Sequence, residues 1–263
     1  MKRRLKTWSR PADIWPQASL WGAKGVQPHG IMQGILGDCW FLAAASALGE
    51  WPDRVKALFK QQAFAADGVY DIDFYVKGKK LSVKIDDKLP TEEGGSLLNS
   101  RQSKEGAFWF VLLEKAYAKL NLNYASLNGG GGVEAFRSLT GMPVDTKNPE
   151  VMTDDALFDA IAAADGKNYA MTAGCSKDTG LGLVTGHLYT VLGAKKLSTG
   201  EKLVKLRNPW GMEKYTGPWN DNDAKWTDAL KKEVGLTKAN DGIFWMTVKG
   251  FKGVMASVEF AMV

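Results

Sequence analysis

Only two cysteines and two histidines occur in this 263-residue chain. Two cysteines make no disulfide framework at this length, and they are compatible with a reducing compartment. Long hydrophobic runs are also missing. The longest apolar stretch, Trp40 to Leu48, is broken by Ser46 and is far too short to span a bilayer. After the basic opening MKRRLK, the residues TWSRPADIWPQ hold no apolar core of signal-peptide length. No basic stripe interleaved with aromatics follows, so that opening reads as a solvated tail and nucleic acid is not an expected partner. Internal repeats are absent, and the only low-complexity segment is a short glycine run. What remains is ordinary soluble-globule composition, 45% hydrophobic and 24% charged, with ten tryptophans and a net charge of +5. That is ample material for a large core held together without metals or disulfides.

Residues 1–32, rich in Pro, Gly and Trp, read as an irregular arm. A helix is expected from Cys39 to about Glu50, ended by Trp51-Pro52. VYDIDFYVKGKKLSVKID (69–86) alternates around Lys-Gly and predicts a hairpin. AFWFVLLEKAYAKL (107–120) has helical spacing. After the NGGGG loop at 128–132, a second helix spans 133–139 and ends at Thr140-Gly141. Beyond Gly141 the pattern changes. One helix, 153–164, carries a Thr-Asp cap signal, and four strand-like runs follow: NYAMTAGCS, HLYTVLGAKKL, EKLVKLR and GIFWMTVKGF. The expectation is an α+β chain, with 1–141 an arm and a helical lobe, and 142–263 a β-rich lobe.

The scarcity of histidine limits the chemistry. A cysteine nucleophile at neutral pH is activated by a neighbouring imidazole or a helix N-terminus, and here four Cys–His pairs exist. Cys39 begins a helix, where the backbone dipole favours a negative sulfur. Gly37 before it lets the loop approach a substrate. Cys175 sits at the end of a buried strand and reads as inert filler. His187 opens one strand, and the next ends at Asn208-Pro209-Trp210. Pairing the two as a hairpin brings His187 and Asn208 to one end, where an asparagine can fix the imidazole's orientation and tautomer. Trp210 is placed to shield that bond. Gln33, six residues before Cys39, is a candidate oxyanion donor together with the Cys39 amide. Taken singly, His187 reads equally as a strand-start residue, Asn208 as a turn cap and Gln33 as a loop residue; their conjunction favours a thiol nucleophile. His29 has no visible partner.

The strings QGILGDCWFLAAAS, LLEKAYAKL, LNGGGGVEAFRSLTG, GHLYTVLGA, KLVKLRNPWGMEKYTGPWND and FWMTVKGF, in this order over roughly 30–251, resemble the catalytic core of the calpain family of cysteine proteases. The resemblance implies a papain-like two-lobed fold, with the nucleophile on the helical lobe. It implies Cys39 as nucleophile, His187 as general base, Asn208 as its orienter, Gln33 as oxyanion donor and Trp210 as cover. Gly130 and Gly186 match positions whose backbones bind an extended protein or peptide substrate. An intracellular, cytoplasmic setting and no organic cofactor are implied as well. Animal members bind one calcium ion in each lobe. At the matching positions this chain has Gly30 and Ala107 in the first lobe, and Lys214 and Ile243 in the second, although Asp221 and Asp241 remain. A hard cation needs several oxygen ligands, so no metal is expected to bind in the family's manner. The usual C-terminal modules do not follow, which leads us to expect a minimal enzyme or an excised core. The competing reading is a non-catalytic or zymogen-like module that uses the same cleft to bind peptides.

Overall fold

The computed structural model describes residues 5–263, so the first four residues of the basic tail lie outside it. The arm opens with β1 (Thr7–Ser9) and α1 (Pro11–Ile14) and leads to the helix that organises the first lobe, α2 (Cys39–Leu48). Its sequence, CWFLAAASAL, contains no charge, and Trp40 through Leu48 are all buried. A helix apolar on every face belongs at the centre of a protein. It stops at Gly49, and Pro52 opens the short α3 (Pro52–Lys56), because proline is tolerated in a first helical turn but not in an interior.

The expected hairpin is β2 (Val69–Val76) with β3 (Lys79–Asp86), joined by Lys77 and Gly78, both at positive φ (50° and 75°). Two left-handed central residues make the turn type whose twist matches a tight hairpin. β4 (Leu89–Thr91) pairs antiparallel with β1. α4 (Trp109–Leu120) and α5 (Gly132–Thr140) complete the helical lobe, and α5 closes on Gly141 in the left-handed region.

The second lobe is one antiparallel sheet with helices on it. Its strands are β5 (Val144–Lys147), β6 (Ala170–Cys175), β7 (His187–Lys196), β8 (Lys202–Arg207), β9 (Ile243–Thr247) and β10 (Met255–Ala261), in spatial order β5-β10-β6-β7-β8-β9. Between them lie α6 (Asp154–Gly166), α7 (Asp228–Val234) and α8 (Val248–Val254). The predicted Thr cap of α6 is present: the Thr153 hydroxyl accepts from the Ala156 N–H at 3.1 Å. GIFWMTVKGF is not strand throughout. Thr247 caps a helix by accepting from the Gly250 N–H (3.0 Å), so the strand ends there and VKGF begins α8.

Neighbouring residues of β7 show how the lobes join. Tyr189 and Val191 point into the core shared with α6 and α8. Thr190, on the other face, donates its hydroxyl to the Ala43 carbonyl of α2 at 2.8 Å. Arg207, the last residue of β8, reinforces that contact. It is fully buried, and its guanidinium donates to the carbonyls of His29 (3.0 Å) and Ile31 and to the Ser46 hydroxyl (3.4 Å) of α2. Burial lowers its pKa, while the Asp241 carboxylate acts in the opposite direction. Among the described residues, no helix is long and apolar enough to cross a membrane.

Arg207→Met should therefore lose about 3 kcal/mol of stability in urea unfolding, because it strands two buried carbonyls. A variant as stable as the parent would show that the guanidinium does not hold the lobes together.

Candidate active site

β7 and β8 set the geometry that the sequence suggested. Thr190 faces Arg207 across the ladder, so the residue after Arg207 emerges beside the start of β7. There His187 Nε2 meets Asn208 Oδ1 at 2.9 Å. The same oxygen accepts the Trp210 backbone N–H at 3.0 Å, which fixes the amide with its oxygen toward the ring. An Asn oxygen accepts, so Nε2 carries the proton and Nδ1 is left as the basic nitrogen. The Trp210 ring lies over the imidazole, centroids 4.8 Å apart. Both His187 and Asn208 are buried.

Cys39 occupies the first turn of α2, half-buried and free. Its sulfur is approached by the backbone N–H groups of Leu188, Trp40 and Cys39 itself. Since Leu188 follows His187, this places the nucleophile candidate against the start of β7. Cys39, His187, Gln33, Gly186 and Trp210 line one cleft of about 690 Å³. Gln33 is buried, its N–H donates to the Pro209 carbonyl (2.9 Å), and its Nε2 donates to the Leu36 carbonyl (2.6 Å), leaving a second Nε2 hydrogen. Of the glycine loop it is Gly129 that lines the cleft, its N–H bonded to the Gly37 carbonyl (2.9 Å). Gly130 presses on the Trp40 indole, where an added Cβ would come within 2.3 Å.

The electrostatics differ from the expectation for a helix-start cysteine. Burial pushes the Cys39 thiol up, and the three N–H groups only partly oppose it. Burial likewise lowers the His187 pKa, against the pull of Asn208. Both shifts favour the neutral forms, thiol and imidazole. Cys175 is buried at the end of β6, with its thiol near the Lys177 carbonyl (3.5 Å). It remains filler, although it lies directly across the ladder from His187. His29 does have a partner: its Nε2 is 3.6 Å from Glu105, and its carbonyl accepts from Arg207.

Two features escaped the sequence reading. Beneath Cys39, Asp38 and Glu114 are both fully buried and hydrogen-bonded to each other. Glu114 also accepts the Ser100 N–H (3.2 Å) and hydroxyl (2.7 Å). Burial raises both carboxyls, Asp38 well above the usual range. Among the described residues the Asp38 oxygens are otherwise without a hydrogen-bond partner, and burial together with the Glu114 carboxyl favours the protonated form of Asp38. Protonating one carboxyl of such a pair lowers the negative charge beneath Cys39. Second, Glu213 lies against Asp221 and near Asp241. Burial and Glu213 push Asp221 up to about 7. No group of three or more His, Cys, Asp or Glu residues is arranged to hold a metal ion among the described residues.

A half-buried cysteine at a helix start and a histidine bonded to an asparagine thus line one cleft of a papain-like α+β fold. Comparison with known proteins gives the family. The family model described as calpain family cysteine protease matches residues 1–262. Human calpain-14 is 38% identical over 93% of this chain and 37% of its own length. Mouse calpain-5 is 32% identical over 91% of this chain and 43% of its own length, and the rice calpain-type cysteine protease ADL1 is 31% identical over 94% and 12%. The chain belongs to the calpain family of cysteine proteases, and it spans well under half the length of these relatives.

A thiol raised by burial gives a definite pH response. The rate of Cys39 alkylation by iodoacetamide should keep climbing above the ordinary thiol range, about pH 8.5, and should exceed that of Cys175 throughout. A rate already at its plateau at pH 6 would show instead a preformed thiolate–imidazolium pair.

Proposed function

We propose that this chain is a calpain-like cysteine endopeptidase with Cys39 as nucleophile, His187 as general base and acid, and Asn208 as the orienter of His187. The observation that carries the reading is the 2.9 Å His187–Asn208 bond at the wall of the cleft into which Cys39 opens. Because burial favours both neutral forms, His187 Nδ1 takes the thiol proton as sulfur attacks the peptide carbonyl. A C–S bond forms, and the carbonyl electrons move to oxygen, where the Cys39 N–H and the free Gln33 Nε2 hydrogen stabilise the charge. On collapse the C–N bond breaks, and the leaving amine receives the proton from His187. Water then adds to the thioester, giving its proton to His187, which returns it to the departing sulfur. Trp210 keeps bulk water from the His187–Asn208 bond. Gly129, Gly130 and Gly186 are the backbones we assign to the extended substrate.

The same reading places the division between lobes at Gly141; one buried apolar cluster lies before it apart from Ala170 and Ala261, and a second runs from Leu157 to Phe260. The two unpaired cysteines agree with an intracellular setting.

Calcium has no step in this scheme. Gly30 offers no side chain and Ala107 is a buried methyl. Glu105, two residues earlier, already holds Lys24 at 2.8 Å and His29 at 3.6 Å. In the second lobe Lys214 brings a positive charge to the cleft lined by Glu213 and Asp221. These residues do not fit the family's calcium positions. The Arg207 clamp takes over the task of keeping the lobes in register.

Casein should be cleaved equally in calcium and in chelator. Cys39→Ala and His187→Ala should abolish turnover while leaving thermal unfolding unchanged, and Asn208→Ala should lose about 10- to 100-fold, since it orients without reacting. Cleavage that appears only with calcium would overturn the calcium-independent part. Wild-type cleavage by Cys39→Ala would overturn the nucleophile. A chain that binds casein, cleaves none and leaves Cys39 unlabelled would be the peptide-binding module instead.

A further inference from the structure

The cleft that holds Cys39 carries two positive side chains, Arg101 and Lys214, and none of its lining residues is Asp or Glu. Neither cation is satisfied internally. The Arg101 Nε is buried with no hydrogen-bond partner, and neither side chain forms an ion pair among the described residues. Lys214 borders the neighbouring cleft with Glu213 and Asp221, yet it pairs with neither of them. A guanidinium with a donor left unmet gains from a strong acceptor at its remaining nitrogens, and an anion in the cleft that Arg101 and Lys214 line supplies one.

The backbone fixes where these cations sit. Arg101 N–H donates to the Met32 carbonyl (2.7 Å), Gln33 N–H donates to the Pro209 carbonyl, and Gly211 lies against the Met32 side chain. Lys214 follows three residues later. Both cations therefore belong to the segments that carry Gln33 and Trp210, where the oxyanion forms and where His187 releases its proton to the leaving amine. We propose that Arg101 and Lys214 form a subsite for an acidic side chain of the substrate, on the leaving-group side of the scissile bond. This rests on the peptidase reading for the direction of the chain, but not for the anion binding itself. A guanidinium suits a carboxylate in two-point contact, and an ammonium adds a point charge. The class of substrate is thus an extended peptide carrying Glu or Asp just beyond the cleaved bond.

The test uses casein-derived decapeptides in which Glu, Gln or Lys is placed at each position in turn, with cleavage sites read by mass. For binding, fluorescein-labelled copies are titrated into the Cys39→Ala protein. Glu beyond the bond should exceed Gln by about fivefold in kcat/KM and in affinity, with Lys poorer still. High salt should shrink the ratio. Lys214→Gln, at an exposed position, should bring the ratio close to one, and Arg101→Gln should do the same wherever it folds. Equal handling of Glu and Gln, or a Glu preference that survives Lys214→Gln, overturns the subsite even if the peptides are cleaved. If nothing is cleaved but Cys39→Ala still prefers Glu in a Lys214-dependent way, the subsite stands and the peptidase reading falls.

Discussion

A fully buried cation, Arg207, ties this molecule's halves together beside the candidate site. Arg207 has left water entirely and is solvated by backbone carbonyls of the loop before α2 and by a hydroxyl on α2 itself. Such a group is expensive to desolvate and tolerates little rearrangement, since each displaced carbonyl leaves a donor unmet. The next residues each take up a task at the site. Asn208 turns the imidazole, Pro209 receives the Gln33 N–H, and Trp210 covers the ring. One short segment therefore couples the docking of the lobes to the alignment of the chemistry. Thr190, bonded to α2 from the adjacent strand, adds a second tie in the same place.

The helix that receives these ties has its own constraint at the N-terminus. Its first residue is the proposed nucleophile, yet the preceding Asp38 is wholly buried. Two ionised carboxyls there would raise the thiol further and repel each other. Burial favours the protonated form of Asp38 beside Glu114, and the bonds that Glu114 accepts from Ser100 tie α4 to the loop at 99–101 from which Arg101 reaches the cleft. The favourable N–H groups at the helix start remain, but burial outweighs them. Burial favours the neutral imidazole and the protonated thiol alike. In the proposed mechanism this suits proton transfer during attack.

Much of this was legible in the residues. Cys39 at a helix start and His187 and Asn208 at one end of a hairpin followed from local patterns, since a strand pair's register is local. The hairpin at 69–86 and the Thr153 cap were equally local. Other features were not. β5 and β10 pair across more than a hundred residues, so neither strand's short sequence indicated its partner. The helical end of GIFWMTVKGF was hidden because Val and Phe fit a strand as well, and only the Thr247 cap decided it. Arg207, Asp38 and Glu114 went unread because charged residues are normally solvated, and only tertiary packing buries them. The thiol's direction was missed for the same reason: the helix dipole is visible in sequence, and desolvation is not.

The central claim is that Cys39 reacts through His187 without calcium. The most direct measurement is the intact mass, followed by peptide mapping, of the chain after exposure to a peptidyl epoxide in the presence of chelator. One adduct on Cys39, lost in His187→Ala, is the predicted result. No adduct until calcium is added, or an adduct on Cys39 that forms equally well in His187→Ala, would contradict the account.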